Sequence, residues 1–94
     1  MDAVERFGEN ILRVRQARKL SQESLAERDG IHRTQITLIE SGRREPRLLT
    51  LVRLAGALEV DVGTLLEGMT WVAGGPGGGE FVVTDPPELP RLSD

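Results

Sequence analysis

Apolar residues recur at helical spacing through roughly the first two thirds of the chain, and the rhythm changes after residue 68. Val4, Phe7, Ile11 and Leu12 form one stripe, with Gly8 and Arg15 on the same line. Val14 and Ala17 extend its apolar side, and the spacing predicts a first helix over about residues 3–18. Leu20 ends it. Ser21 is suited to cap the next helix, because its hydroxyl can accept a bond from an exposed backbone N–H of the first turn. Ser24, three residues on, is not the Glu or Gln of a full capping box. Leu25 and Ala26 form the buried face of a short second helix, about 21–28. Asp29-Gly30 then breaks the chain, since glycine accepts positive φ without steric cost. Ile31, Ile36 and Ile39 give an inward face to a third helix over about 32–40, and Gly42 suits its C′ position. Pro46 stops helix from running through 43–46. Leu48, Leu51, Val52, Leu54, Ala55 and Leu58 predict a fourth helix. A short fifth covers about 61–67, with Val62, Leu65 and Leu66 inside and Gly68 as its stop.

The tail has a different pattern. "GGPGGG" at 74–79 cannot hold a helix or a continuous strand, and it also lacks the lysine and helix of a phosphate-binding loop. Its flanks, "TWVA" and "EFVVT", are β-prone. Two readings stand. The flanks pair as a hairpin over about 70–84, bringing Trp71 near Phe81 or Val83, or the whole tail is a flexible arm. "DPPELPRLSD", the last ten residues, is expected to be extended or disordered.

Composition narrows the chemistry. At 94 residues the chain has room for one modest core, and with 3% aromatics that core is aliphatic. No cysteine is present, which excludes a disulfide framework and a thiolate metal site. A lone histidine, His32, cannot make a zinc site. No nucleophile–base pair stands out, so neither an enzyme nor a bound cofactor is expected. No apolar run approaches the ~18 residues of a membrane span, and the N-terminus lacks the apolar core of a signal peptide. The expectation is a cytoplasmic protein.

The net charge of −3 conceals an asymmetry. Residues 1–47 carry ten basic and eight acidic side chains; residues 48–94 carry two and seven. Arg13, Arg15, Arg18 and Lys19 run without an acid between them, and Arg43, Arg44 and Arg47 follow later. Charges further apart than ~8–10 Å are largely screened, so the local patch rather than the overall sign governs contact with nucleic acid. The run at 13–19 is either a solvated helix face or a phosphate contact.

A short helix, a glycine turn and a second short helix form a helix-turn-helix pattern. Such a second helix needs an apolar side to hold it on the domain and a polar side for base edges. Ile31, Ile36 and Ile39 supply the first, and Arg33, Thr34 and Gln35 the second. The segment "SQESLAERDGIHRTQITLIESGRREP" resembles the Cro/C1-type (XRE-like) helix-turn-helix regulators. The resemblance lies in Ser21-Gln22, Leu25-Ala26, Gly30-Ile31, Ile36, Ile39-Glu40, Gly42, Arg44 and Pro46. "LLTLVRLAGALEVDVGTLLEG" is similar to that family's fourth and fifth helices, so about residues 5–68 are covered.

The resemblance implies an all-α, five-helix, lambda repressor-like DNA-binding domain over residues 1–68, with 69–94 as a C-terminal extension. It implies a homodimer on a pseudo-palindromic double-stranded operator. Arg33, Thr34, Gln35, Thr37 and Leu38 occupy the family's groove-facing positions. Gln22 matches a residue that touches phosphate and braces the recognition helix. Arg43, Arg44 and Arg47 lie in the loop that tracks the backbone. Chemistry supports these roles: arginine pairs with guanine O6 and N7, glutamine with adenine N6 and N7, and leucine packs on a thymine methyl. Loop arginines neutralise phosphate without reading sequence. Leu38 is otherwise a spare core residue, and Glu40 is a surface acid or the partner of an arginine that positions the loop.

Two positions depart from the family pattern. His32 stands where a Ser or Thr cap is usual, and Arg47 replaces a small cap before the fourth helix. Looser first turns are expected in both helices. A rival function is an antitoxin-like or adaptor module whose tail takes a protein partner by strand addition. In either reading Trp71, Phe81 and Val83 are candidate dimer or tail contacts.

Overall fold

The computed structural model describes residues 1–84. The proline-rich stretch at 85–94 lies outside the described residues. Five helices precede one hairpin: α1 (Ala3–Ala17), α2 (Gln22–Asp29), α3 (Arg33–Glu40), α4 (Leu48–Leu58), α5 (Val62–Leu65), β1 (Met69–Ala73) and β2 (Gly79–Val83). Among the described residues no helix is long and apolar enough to cross a membrane.

Each helix start has its own chemistry. Asp2 opens α1 with a reciprocal capping box: its carboxylate accepts from the Glu5 N–H, and Glu5 Oε1 accepts from the Asp2 N–H. Ser21 Oγ accepts the Ser24 N–H at 3.0 Å, as the sequence predicts. His32 departs from expectation. Its Nδ1 accepts the Thr34 N–H at 3.1 Å, so the imidazole caps α3 in place of a hydroxyl. Arg47 makes no side-chain cap, in line with the sequence reading.

The helix ends are closed from a distance. Arg18 donates to the carbonyls of Leu58 and Glu59, and Arg28 donates to Ala57. Both cations therefore sit at the C-terminus of α4, where the dipole favours them. Asn10, buried on α1, donates to Leu65 O and Glu67 O, which ties α5 and the root of the hairpin to α1.

The core is aliphatic apart from Phe7. Ile11, Val14, Leu25, Ala26, Ile36, Ile39, Leu54, Ala55, Leu58 and Leu65 complete it, with Ile31, Leu51, Val62 and Met69 packed at its edge. Each fully buried aliphatic side chain contributes about 1.5–3 kcal/mol. The fifth helix is shorter than the apolar pattern suggests, a single turn over Val62–Leu65. Leu66 falls beyond it and is 40% exposed rather than inside. Leu48 and Val52 also face outward, beside Leu49, whereas Leu51, Leu54, Ala55, Ala57 and Leu58 of α4 turn toward the body. Periodicity marked these positions as helical without saying which of two apolar stripes would be covered.

β1 and β2 pair antiparallel with Met69 opposite Val83, Trp71 opposite Phe81 and Ala73 opposite Gly79. The hairpin reading of the tail therefore holds over its β-prone flanks. The Trp71 and Phe81 rings meet edge to face with centroids 5.0 Å apart. The Thr84 N–H closes the hairpin root on Gly68 O.

Candidate nucleic-acid interface

The candidate surface is built by α2, the turn at Gly30, α3 and the loop to α4. Gly30 takes φ +77° at the end of α2, a conformation that its missing Cβ permits. α3 then divides cleanly. Ile36 and Ile39 are buried and Ile31 is half-buried. Arg33, Thr34 and Thr37 are exposed, while Gln35 and Leu38 are half-buried at the margin.

What holds α3 in place comes largely from α1. Gly8 lies buried against the end of α3, where an added Cβ would stand 2.3 Å from Ile39 O and 2.7 Å from Glu40 O. Only a glycine lets the two backbones approach so closely. Two helical turns further along a face of α1, Arg15 grips Glu40 with both arms of its guanidinium: Nε to Oε2 at 2.6 Å and Nη2 to Oε1 at 3.0 Å. Arg15 Nη1 also donates to Leu20 O at 2.9 Å. Both side chains are largely buried, at 13% and 6% exposure. The hydrogen bond that Arg15 donates to Glu40 pushes the guanidinium pKa up, against the opposing pull of burial. Gln22 extends the network. Its Nε2 donates to Glu40 Oε1 at 3.0 Å, and its Oε1 accepts from Thr37 Oγ1 at 3.1 Å.

This arrangement bears on three points raised by the sequence. Glu40 is the partner of an arginine. That arginine is Arg15, from the basic run at 13–19, so Arg15 and Arg18 both serve the protein's own carbonyls and carboxylates. Gln22 braces α3 through Thr37 and Glu40.

The cations among the predicted nucleic-acid residues are also engaged. Arg33 Nη1 lies 2.6 Å from Glu23 Oε1, with both side chains more than half exposed. The Glu23 carboxyl is held below the usual carboxylate range, first by its own backbone N–H and then by Arg33. Exposed pairs of this kind are worth little to stability, so Arg33 is released at small cost. Arg44 Nη1 donates to Gln35 Oε1 at 2.7 Å. The loop starts at Gly42, where φ is +75° and an added Cβ would press to 2.8 Å from Glu5 Cγ. Arg43, Arg44 and Arg47 are all exposed along it. Beneath the turn, Asp29 is 5% exposed. Arg53 Nε stands 3.3 Å from its Oδ1, yet among the described residues neither carboxylate oxygen receives a hydrogen bond. Burial pushes this carboxyl's pKa up, with Arg53 opposing.

The structure thus brings nine predicted nucleic-acid residues (Gln22, Arg33, Thr34, Gln35, Thr37, Leu38, Arg43, Arg44 and Arg47) onto α2, α3 and the adjoining loop. Trp71, Phe81 and Val83 lie apart, on the hairpin, where the first two are 55% and 62% exposed. Sequence reasoning did not single out Gly8, Arg15 and Glu23 as parts of this surface. For Arg15 a signal exists: a lone cation at the end of an otherwise apolar stripe.

Comparison with known proteins agrees with this architecture. A family pattern described as Helix-turn-helix matches residues 11–65. The chain is 46% identical over 66 residues to the control protein C.SmaI of Serratia marcescens, covering 70% of this chain and 79% of that one. The crystal structure of the restriction–modification controller protein C.AhdI from Aeromonas hydrophila superposes with a TM-score of 0.65 at 34% identity, covering 66% of this chain and 94% of that one. C.Esp1396I, another restriction–modification controller, was solved as a tetramer on its natural 35 base-pair operator; it superposes with a TM-score of 0.64 at 26% identity, over 69% of this chain and 86% of that one. The chain spans about half, 53%, of the length of one further relative, an uncharacterised regulator of Bacillus subtilis. With a lambda repressor-like five-helix fold, the residues of a helix-turn-helix surface and these relatives, the chain belongs to the Cro/C1-type helix-turn-helix family of non-enzymatic, DNA-binding transcriptional regulators.

Proposed function

We propose that this regulator acts as a homodimer on a pseudo-palindromic operator whose half-sites lie about one helical turn (~34 Å) apart, with α3 in the major groove. The observation that carries the reading is the two-sided chemistry of α3. Its isoleucines are sunk in the core, and its opposite side presents Arg33, Thr34 and Thr37, with Gln35 and Leu38 at the margin. These five residues contact base edges. Gln22, Arg43, Arg44 and Arg47 contact phosphates and fix register. The operator complex of C.Esp1396I supports a multimeric mode of binding. The protein works where the DNA is, in the cytoplasm. Residues 1–68 act as the DNA-binding unit, and 69–94 as an extension that serves assembly.

The exposed apolar surface supports a dimer. Trp71 and Phe81 lie side by side on one face of the hairpin, and Val83 continues that face toward the body. A second copy covers this face. The rival adaptor reading rests on the same face, because a projecting hairpin also offers strand edges to a different protein. The arrangement of arginines around α3 favours DNA.

A salt titration of binding to random duplex DNA tests the reading. The expected outcome is a line of negative slope in log K against log salt, with weak overall affinity given the net charge of −3. A slope near zero sinks it. On a selected operator, Arg33→Ala is expected to cost about 1–3 kcal/mol and to spare random DNA.

A further inference from the structure

We infer that Arg44 sets base preference, by fixing the side-chain amide of Gln35, and does not serve phosphate alone. The inference rests on the DNA-binding reading above and changes the role that reading gives to one residue. The observation is the 2.7 Å bond from Arg44 Nη1 to Gln35 Oε1, which joins the loop to α3 across nine residues of sequence.

A glutamine amide has one acceptor oxygen and one donor nitrogen, and a half-turn about its last bond exchanges them. An isolated Gln35 therefore chooses its orientation freely. It can offer oxygen and nitrogen together to adenine, or nitrogen alone to an acceptor edge. A guanidinium has five donors and no acceptor, so it accepts only one of the two amide orientations. Arg44 selects the orientation with Oε1 turned toward itself. The bond is charge-assisted and short, hence stronger than a neutral pair. Gln35 is also half-buried, which limits its other rotamers.

The loop is built to keep Arg44 there. Gly42 turns the chain at φ +75° against Glu5, and the Arg43 N–H returns to Leu38 O at 2.9 Å. Pro46 follows two residues after Arg44 and is itself half-buried. Arg44 is thus held between two anchored points and reaches α3 from the side of the loop.

The consequence concerns specificity. With one lone pair of its oxygen held by Arg44, Gln35 turns its NH₂ outward and favours an edge of acceptors alone, guanine N7 and O6 or thymine O4, over adenine, whose N7 acceptor lies beside the N6 donor. The paired adenine contact, which needs oxygen and nitrogen facing the base together, is disfavoured. Among the described residues the Arg43 side chain makes no hydrogen bond to α3, and it acts on phosphate alone.

The test is selection of bound sites from a random duplex pool by the full chain and by Arg44→Ala, Gln35→Ala, Arg43→Ala and the Arg44→Ala/Gln35→Ala double variant. All four changes are at non-core positions, and thermal melts check that each variant folds. Wild type is expected to enrich guanine or thymine at one position per half-site. Arg44→Ala and Gln35→Ala change the preference at that same position by about fivefold or more, the size of a lost base contact. The double variant adds no further change there. Arg43→Ala lowers affinity on all sequences and leaves the preferred base intact. The inference is overturned if Arg44→Ala behaves like Arg43→Ala, or if wild type selects adenine at the Gln35 position. If wild type enriches no sequence at all, the DNA reading itself fails, and the inference with it.

Discussion

Replacing Gly8 by alanine separates two opposing effects. In an exposed helix interior the change is favourable by about 1 kcal/mol, because alanine loses less backbone freedom on folding. At Gly8 the new methyl would sit 2.3 Å from Ile39 O, 2.7 Å from Glu40 O and 3.0 Å from Glu40 C. Ordinary carbon–oxygen contact needs about 3.3 Å, so α1 and α3 must part by roughly 1 Å. The obstacles are backbone atoms, which cannot rotate away as a side chain can. Overpacking costs about 1–3 kcal/mol and more where nothing yields. A radial gap of about 1 Å also forfeits up to half of the dispersion attraction across the contact, and it pulls Glu40 away from Arg15. The net expectation is a loss of about 2 kcal/mol, roughly an eighth to two fifths of a typical domain's stability, and a fall in Tm of about 8–16 °C. Gly56 is the control. It lies within α4 with no heavy atom within 4 Å of an added Cβ, so Gly56→Ala should stabilise by about 0.5–1 kcal/mol. Urea and thermal melts of the two variants beside wild type decide the matter. A Gly8→Ala protein at least as stable as wild type would refute the close-approach argument.

Other perturbations probe the remaining parts. Glu40→Ala leaves Arg15 buried without its charge partner and should cost about 3–5 kcal/mol, read by denaturant titration; a change below about 1 kcal/mol would mean that the network is not holding α3. Asp29 binds its proton more tightly in the folded chain than the ordinary 3.8 allows. Stability should therefore fall as pH rises from that value through the raised pKa, with the penalty complete above it. Asp29→Asn should remove this dependence and raise stability at neutral pH, checked by urea melts from pH 3.5 to 7; a wild-type profile that climbs while the variant stays parallel to it contradicts the sign. Trp71→Ser with Phe81→Ser should lower dimer content in sedimentation with little change in helical signal. An unaltered monomer–dimer equilibrium would show that the hairpin face is not the dimer contact.

Much of α3 was legible in the sequence. Ile31, Ile36 and Ile39 at helical spacing placed the buried side of α3, and its polar residues fell opposite by default. Ser21 and Gly30 announced the bounds of α2, since a short hydroxyl and a missing Cβ act within a few residues. The β-prone flanks around "GGPGGG" paired in a register that sets Trp71 against Phe81. His32 caps α3 without a hydroxyl, because a ring nitrogen with a free lone pair accepts the same N–H. Leu66 was misplaced because the one-turn helix ends before it.

Local periodicity and local hydrogen bonding thus determined which segments are helical, where they stop and which side of α3 is apolar. Those properties depend on residues within one or two turns of each other. The crossing of α1 over α3 is a different kind of fact. It makes Gly8 indispensable to close approach, joins Arg15 to Glu40 across 25 residues, and turns Arg18 onto the end of α4 across 40. The packing of α4 against α2 and α5 likewise leaves Leu48, Leu49 and Val52 uncovered while Leu54 and Leu58 are sealed. No spacing along the chain encodes these pairings, because they arise only when whole helices pack and each buried charge must find a partner within reach.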